Sequence, residues 1–229
     1  MKETKVMTES ESLALITDMI HRAKHTYYET GVGPILWGTV VSIASCMTYL
    51  QKEYQFSIGF DIWIIVLIAI IPQILISIRE KRMHGVKKHE DDALNAVWLT
   101  YAISIFGLII YQNIIPQATV QLNAQEGWVM MRHYTNLQKP DEAIRPFAPS
   151  IYSLFILLYA FPTLVTGIVK KFKPMTAGAI IAYVLFIVSC YTASKYDMLL
   201  GSISAICCWL IPGIILRRKY LAQKSAAHV

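Results

Sequence analysis

The sequence predicts an all-α integral membrane protein: a six-helix bundle of three helical hairpins, preceded by an amphipathic helix. Two observations lead to this fold class. Six apolar stretches follow one another along the 229-residue chain, and the basic residues between them alternate from dense to sparse. The chain is 55% hydrophobic and 16% charged, with a mean hydropathy of +0.45, which is unlike a soluble globular protein. The composition therefore places most of the chain in lipid.

The apolar stretches have lengths close to the roughly 20 residues that cross a bilayer. The predicted spans are 34–50, 61–78, 93–115, 149–169, 174–192 and 198–216. They divide the chain into a cytoplasmic amphipathic helix (1–32), a six-helix membrane domain (33–216) with an outer loop (116–148), and a cytoplasmic tail (217–229).

The distribution of Lys and Arg predicts the orientation. Of the 21 basic residues, 16 lie in the N-terminal segment, in the loops after spans two and four, and in the tail, and 5 lie on the other side. The positive-inside rule then places both termini in the cytoplasm and the protein in a cell (inner) membrane. The basic patches are short and flank the membrane, so they fit anionic lipid rather than nucleic acid.

The first 32 residues carry a helix-start signal and an apolar stripe. Thr8 and Glu11 form a capping-box pattern, and apolar residues then recur at helical spacing to about residue 29. This predicts an amphipathic helix on the cytoplasmic face. His21 and His25 share one face of it, and together with His84 and His89 they are weak candidates for a metal or pH-sensing site. Solvated histidines are the favoured interpretation, and we predict no metal and no cofactor.

Three prolines form a weak repeat. Pro72, Pro162 and Pro212 each lie in the inner half of an even-numbered span, shortly before a basic cluster. Either the hairpins are related by duplication, or proline is simply frequent in membrane helices. Gln73 beside Pro72 is the most deeply placed polar group, able to satisfy opened backbone or to bond another helix.

Two acidic residues lie near the outer ends of spans. Asp61 and Asp197 each occupy a helix start, where a carboxylate favours the helix dipole and reaches water. Helix capping is the preferred interpretation of both, with ion coupling as the alternative. A path lined by Asp61, Gln73, Gln112 and Asn113 would indicate transport.

Small residues and cysteines also lie within the spans. The pairs Gly178–Ala182 and Gly201–Ala205 permit close helix approach, which leaves a homo-oligomer open. All four cysteines fall inside spans and are expected to pack as small apolar groups. In the outer loop, 125–138 is predicted to be a short helix and 139–149 to be irregular.

Three segments resemble a family of small, uncharacterised multi-pass membrane proteins of Bacteroidota. They are MIHRAKHTYYETGVGPILWGTVVSIAS, YAFPTLVTGIVKKFKP and WLIPGIILRRKY, and the resemblance covers roughly 20–45 and 155–220. It implies a bacterial inner-membrane protein with six helices. It implies no activity and no site residues.

No motif for catalysis is present, so we predict no enzymatic activity. The leading hypothesis is a sensor, scaffold or accessory subunit that acts through its surfaces, with the bilayer and a membrane or cytoplasmic protein as partners. The alternative is a small transporter or channel with kinked even-numbered helices. An intramembrane enzyme is disfavoured.

Overall fold

A computed structural model of the chain describes residues 30–83, 89–135, 139–144 and 152–226. The helices are α1 (Val32–Tyr54), α2 (Ile64–Ile68), α3 (Ile70–Met83), α4 (His89–Gln125), α5 (Ser153–Val169), α6 (Lys173–Cys190), α7 (Ser194–Ala205), a π-helical turn (Ile206–Leu210) and α8 (Ile211–Ala226). Two strands of two residues each, β1 (Met131–Arg132) and β2 (Glu142–Ala143), form the single sheet of the described part. The predicted all-α fold is confirmed.

Four of these helices are long and apolar enough to cross a membrane. They are Val32–Tyr54, Asp91–Gln125, Lys173–Cys190 and the continuous Ser194–Ser225, and the chain is accordingly a membrane protein. The predicted fourth span is the shorter apolar helix α5. The predicted second span is two helices in succession, because a turn at Ala69 separates α2 from α3.

The core of the bundle lies where α1, α5, α6 and the α7–α8 rod meet. Its buried side chains are Val41, Ile156, Tyr159, Ala160, Ala182, Ala205, Cys208 and Trp209. Glycines allow the helices to approach closely: a Cβ on Gly38 would meet the backbone of Leu210, and one on Gly178 would meet the carbonyl of Cys207. Small residues therefore serve contacts inside one chain. Both predicted pairs, Gly178–Ala182 and Gly201–Ala205, are buried in these contacts.

The other helices lie at the edge of this core. Helices α2 and α3 pack on α1, and α4 packs on α5. Helix α4 continues through Pro116 to Gln125, ten residues beyond the predicted end of span three at residue 115. Proline removes one backbone donor, and side chains bond the carbonyls near it: Asn113 donates to Ile109 and Thr119 donates to Ile115.

The loop after α4 also differs from its prediction. The chain turns at Gly127, and Met131–Arg132 pairs with Glu142–Ala143 as antiparallel strands, so residues 126–135 do not form part of the helix predicted over 125–138. Side-chain contacts support the pairing: Arg132 and Tyr134 both bond Glu142, at 3.1 and 2.8 Å. A hydrogen bond from Arg132 to Tyr134 and the nearby carboxylate of Glu142 raise the pKa of Arg132.

The three prolines occupy three different local structures. Pro72 lies in the first turn of α3, after the break at Ala69. Pro162 lies within the continuous helix α5, and Pro212 follows the π-helical turn. The helix is irregular just before Pro72 and Pro212, and side chains bond the backbone around Pro162. Both are expected where proline removes a backbone donor.

The basic segments meet at one end of the bundle, here called the basic end. Thr30 donates a hydrogen bond to Glu80 of α3. A Cβ on Gly31 would lie 2.8 Å from the backbone nitrogen of Arg217 in α8. The ammonium of Lys219 lies 5.3 Å above the ring of Phe172, in the α5–α6 turn. In the same turn, burial lowers the pKa of Lys170 from 10.5 to about 8. Lys52 and Asp197 lie at the opposite end.

Candidate functional site: a buried carboxylate

A carboxylate lies buried inside the bundle at the opposite end. Asp197 occupies the first turn of α7 and is 1% exposed. Neither of its oxygens has a hydrogen-bond partner among the described residues. The α7 N-cap is Ala193, and no side chain caps this helix. A buried carboxylate without partners costs several kcal/mol, so it indicates a function rather than stability.

One cation lies within electrostatic range of this carboxylate. Lys52, in the last turn of α1, interacts with Asp197 and is itself half-buried. Its ammonium lies 4.5 Å from the centre of the Tyr152 ring, at the start of α5. The charge of Lys52 can thus be shared between a carboxylate on one helix and an aromatic face on another.

Other charged groups surround the site at the surface. Lys195 of α7 forms a 2.8 Å ion pair with Glu53 of α1. The rings of Tyr49 and Tyr196 lie 6.1 Å apart on the same two helices. These contacts join the C-terminal end of α1 to the first turn of α7, the turn that carries Asp197.

Hydroxyl groups continue the polar character into the bundle. Ser42 and Ser202 exchange hydrogen bonds with each other's backbone carbonyls across α1 and α7, at 3.3 and 2.9 Å. Ser45 is 2% exposed and faces Gly201, one turn beyond Asp197. Ser204 lies about two turns beyond Asp197, is fully buried, and its hydroxyl has no partner among the described residues.

The two acidic residues that the sequence treated alike therefore differ. Asp61 is exposed, and its carboxylate accepts the backbone N–H of Trp63, the residue before α2, at 3.0 Å. For Asp197 the prediction of a water-exposed cap is wrong. The physical reason is that α7 packs against α1, α5 and α6, which buries the side of its first turn that carries Asp197.

The residues proposed for a transport path do not come together in this chain. Gln73 lies on α3 against Gly33 of α1, donates to Ser77 at 3.1 Å, and leaves its buried oxygen without a partner in the described part. Gln112 and Asn113 lie on α4, which packs on α5 instead. Asp61 is exposed at the surface.

Pro162 and Pro212 border an aromatic cluster in the basic half of the core. Trp98 of α4 donates to Thr166 at 3.1 Å, and Trp209 in the π-helical turn donates to Thr163 at 3.0 Å. The rings of Trp209 and Tyr159 lie 4.9 Å apart. The threonine hydroxyls themselves donate to carbonyls one turn earlier in α5, which supports the backbone around Pro162.

The histidine candidates remain predictions. His21, His25 and His84 lie outside the described residues, and His89 begins α4. Within the described ranges, no three His, Cys, Asp or Glu side chains are grouped so that they could hold a metal ion.

Sequence reasoning named Asp197 but did not pair it with Lys52. The signal that was available is the spacing of polar residues: Asp197, Gly201 and Ser204 recur at helical intervals, which places them on one face of α7. Lys52 was counted as an outer charge. Comparisons of the chain with protein-family models, curated proteins and solved structures found no match.

Proposed function

We propose that this protein is a non-enzymatic membrane sensor whose conformation follows the protonation of Asp197. The observation that carries the proposal is a buried carboxylate whose oxygens lack hydrogen-bond partners in the described chain, with Lys52 in electrostatic range. Two charge states satisfy such a site. Either an ionised Asp197 is neutralised by Lys52, or a protonated Asp197 releases that ammonium.

The path from this site to the basic end supports a sensing role. Helix α7, the π-helical turn and α8 form a continuous rod that carries Asp197 near one end and Arg217 near the other. π-Helical turns are frequent at functional sites and allow the helix register to change locally. Trp209, one of the five tryptophans of the chain, lies in this turn, so its share of the fluorescence reports on the segment that would transmit the change.

The test is a pH titration of tryptophan fluorescence, with the full-length protein in nanodiscs of zwitterionic lipid. We expect the wild-type emission to change between roughly pH 5 and pH 9. The midpoint of this change is a property of Asp197 and Lys52 together, because interacting groups titrate as a pair. Asp197→Asn keeps the size and polarity of the side chain but fixes its charge, so we expect the transition that belongs to Asp197 to be lost.

Asp61→Asn is the matched control, because it removes an exposed carboxylate at the same end of the bundle. Its profile should follow the wild type. The other titratable groups that face the site, Lys52, Glu53, Lys195 and the tyrosines, are unchanged in both variants. A titration that persists in Asp197→Asn would refute Asp197 as the sensing group.

A small transporter is the second candidate. The observation that favours it is the buried hydroxyl of Ser204, which extends the unpartnered polar groups about two turns into the bundle. Proton uptake into liposomes that is lost in Asp197→Asn and kept in Asp61→Asn would favour transport over sensing. The absence of proton uptake would exclude proton transport and leave sensing as the proposed function.

We further propose that the basic end faces the cytoplasm of a bacterial cell, as the positive-inside rule and the family resemblance imply. The chain would then act as an accessory subunit that reports an external condition to an inner partner. Lys139 is exposed in the segment assigned to the outer side, and Arg82 is exposed in the segment assigned to the cytoplasmic side.

Cysteine labelling tests this orientation in intact cells, in a background where the exposed Cys190 is replaced by serine. A membrane-impermeant maleimide should label Lys139→Cys, and should label Arg82→Cys only after the cells are opened. The reverse pattern would invert the topology and place the Asp197 site on the cytoplasmic side.

A further inference from the structure

A cleft with basic walls lies between α3 and α8 at the basic end. Its volume is about 190 Å³. It is lined by Thr30, Val32, Ile76, Arg79, Glu80, Arg217, Tyr220, Leu221 and Lys224. Helices α3 and α8 both pack on α1, and in the described chain they do not pack on each other. The start of α1 therefore forms the floor, and the two helices form the walls.

The charges in the cleft favour an anion. Three of the lining residues are cations, Arg79 on one wall and Arg217 and Lys224 on the other, against one carboxylate. That carboxylate, Glu80, accepts a hydrogen bond from the buried Thr30. The guanidinium of Arg217 lies 5.5 Å from the centre of the Tyr220 ring, which orients its planar donor group.

The apolar part of the cleft favours an amphipathic ligand. Val32, Ile76 and Leu221 contribute to its lining beside the cations. On α3, Ile71 and Leu75 are 63% and 64% exposed and lie two turns and one turn before Arg79 on the same helix face, so they form an apolar stripe that leads away from the cleft. An anionic head group between the cations would therefore have a place for an acyl chain beside it.

We propose that this cleft is a binding site for an anionic phospholipid, with the phosphate between Arg79, Arg217 and Lys224 and an acyl chain along α3. Basic pockets between membrane helices on the cytoplasmic side are suited to such head groups. Guanidinium groups bind phosphate oxygens with paired hydrogen bonds, and ammonium adds a point charge. The site is separate from Asp197 and lies at the other end of the rod.

The experiment measures lipid binding to the full-length protein in a neutral detergent by native mass spectrometry. The probes are palmitoyl-oleoyl phosphatidylglycerol and the zwitterionic phosphatidylcholine with the same chains. We expect one phosphatidylglycerol to bind at least about tenfold more tightly than phosphatidylcholine, a difference of about 1.4 kcal/mol, because only phosphatidylglycerol carries a net negative charge and the choline cation is repelled by the basic walls.

The test variant is Arg79→Gln/Arg217→Gln, which removes one cation from each wall. We expect it to lose that preference. The matched control is Arg82→Gln/Arg218→Gln, which removes two exposed cations from the same two helices outside the cleft and should keep it. Arg79→Lys/Arg217→Lys should retain part of the preference, which separates charge from folding.

Three results would overturn the proposal. Equal binding of both lipids would exclude charge recognition. Equal loss in the test and control variants would assign binding to the general basic surface. Displacement of the lipid by millimolar inorganic phosphate would identify a free phosphate site instead.

Discussion

Gly178→Ala is expected to destabilise the bundle by about 1–3 kcal/mol or more, the usual range for overpacking a filled core. A Cβ at this position would meet the carbonyl oxygen of Cys207 and lie 3.2 Å from the Cys208 nitrogen. Both atoms belong to backbone in the π-helical turn, so no side-chain rotation can relieve the collision. The hydrogen bond from the Cys208 thiol to the Gly178 carbonyl, 3.6 Å, would be displaced as well.

Gly107→Ala is the matched control, since Gly107 lies inside α4 and a Cβ there has nothing within 4 Å. Alanine is the better helix former, so this variant should be more stable by about 0.5–1 kcal/mol. Thermal or denaturant unfolding in a mild detergent measures both. Equal changes in the two variants would show that α6 does not pack on the π-helical turn as described.

Trp209→Ala is expected to cost about 3–5 kcal/mol, the largest effect of a single truncation that we predict. The ring is 3% exposed and contacts three aromatic neighbours, with centroid distances of 4.9, 6.2 and 6.5 Å. Removing it opens a cavity between α4, α5 and the π-helical turn. Its indole N–H also bonds Thr163, which holds the π-helical turn to α5.

Two controls separate packing from hydrogen bonding at Trp209. Trp209→Phe keeps an aromatic ring and should lose a smaller part of the stability. Trp128→Ala removes a tryptophan that is 48% exposed and should change the free energy of unfolding by about 1 kcal/mol or less. A large effect of Trp128→Ala and a small one of Trp209→Ala would contradict the described core.

The fold class and the helical segments followed from hydrophobicity, because a long apolar stretch must satisfy its own backbone groups in lipid and does so as a helix. The ends of the helices followed less well. Span three was predicted to end at residue 115, yet α4 extends through Pro116 to Gln125, since one missing donor does not terminate a helix whose remaining bonds are intact. The β1–β2 hairpin depends on pairing between residues ten or more positions apart, which local composition does not specify.

The sequence by itself determined that the chain lies in a membrane, where its helices fall, and on which segments its basic residues concentrate. Only the tertiary structure distinguished Asp61 from Asp197. Both carboxylates begin helices, but the burial of each depends on which neighbouring helices close over it. At Asp197 the contacts of α1 and α5 provide that enclosure and bring Lys52 beside it. The same reasoning applies to the basic cleft, because Arg79 and Arg217 become neighbours only when α3 and α8 pack on α1.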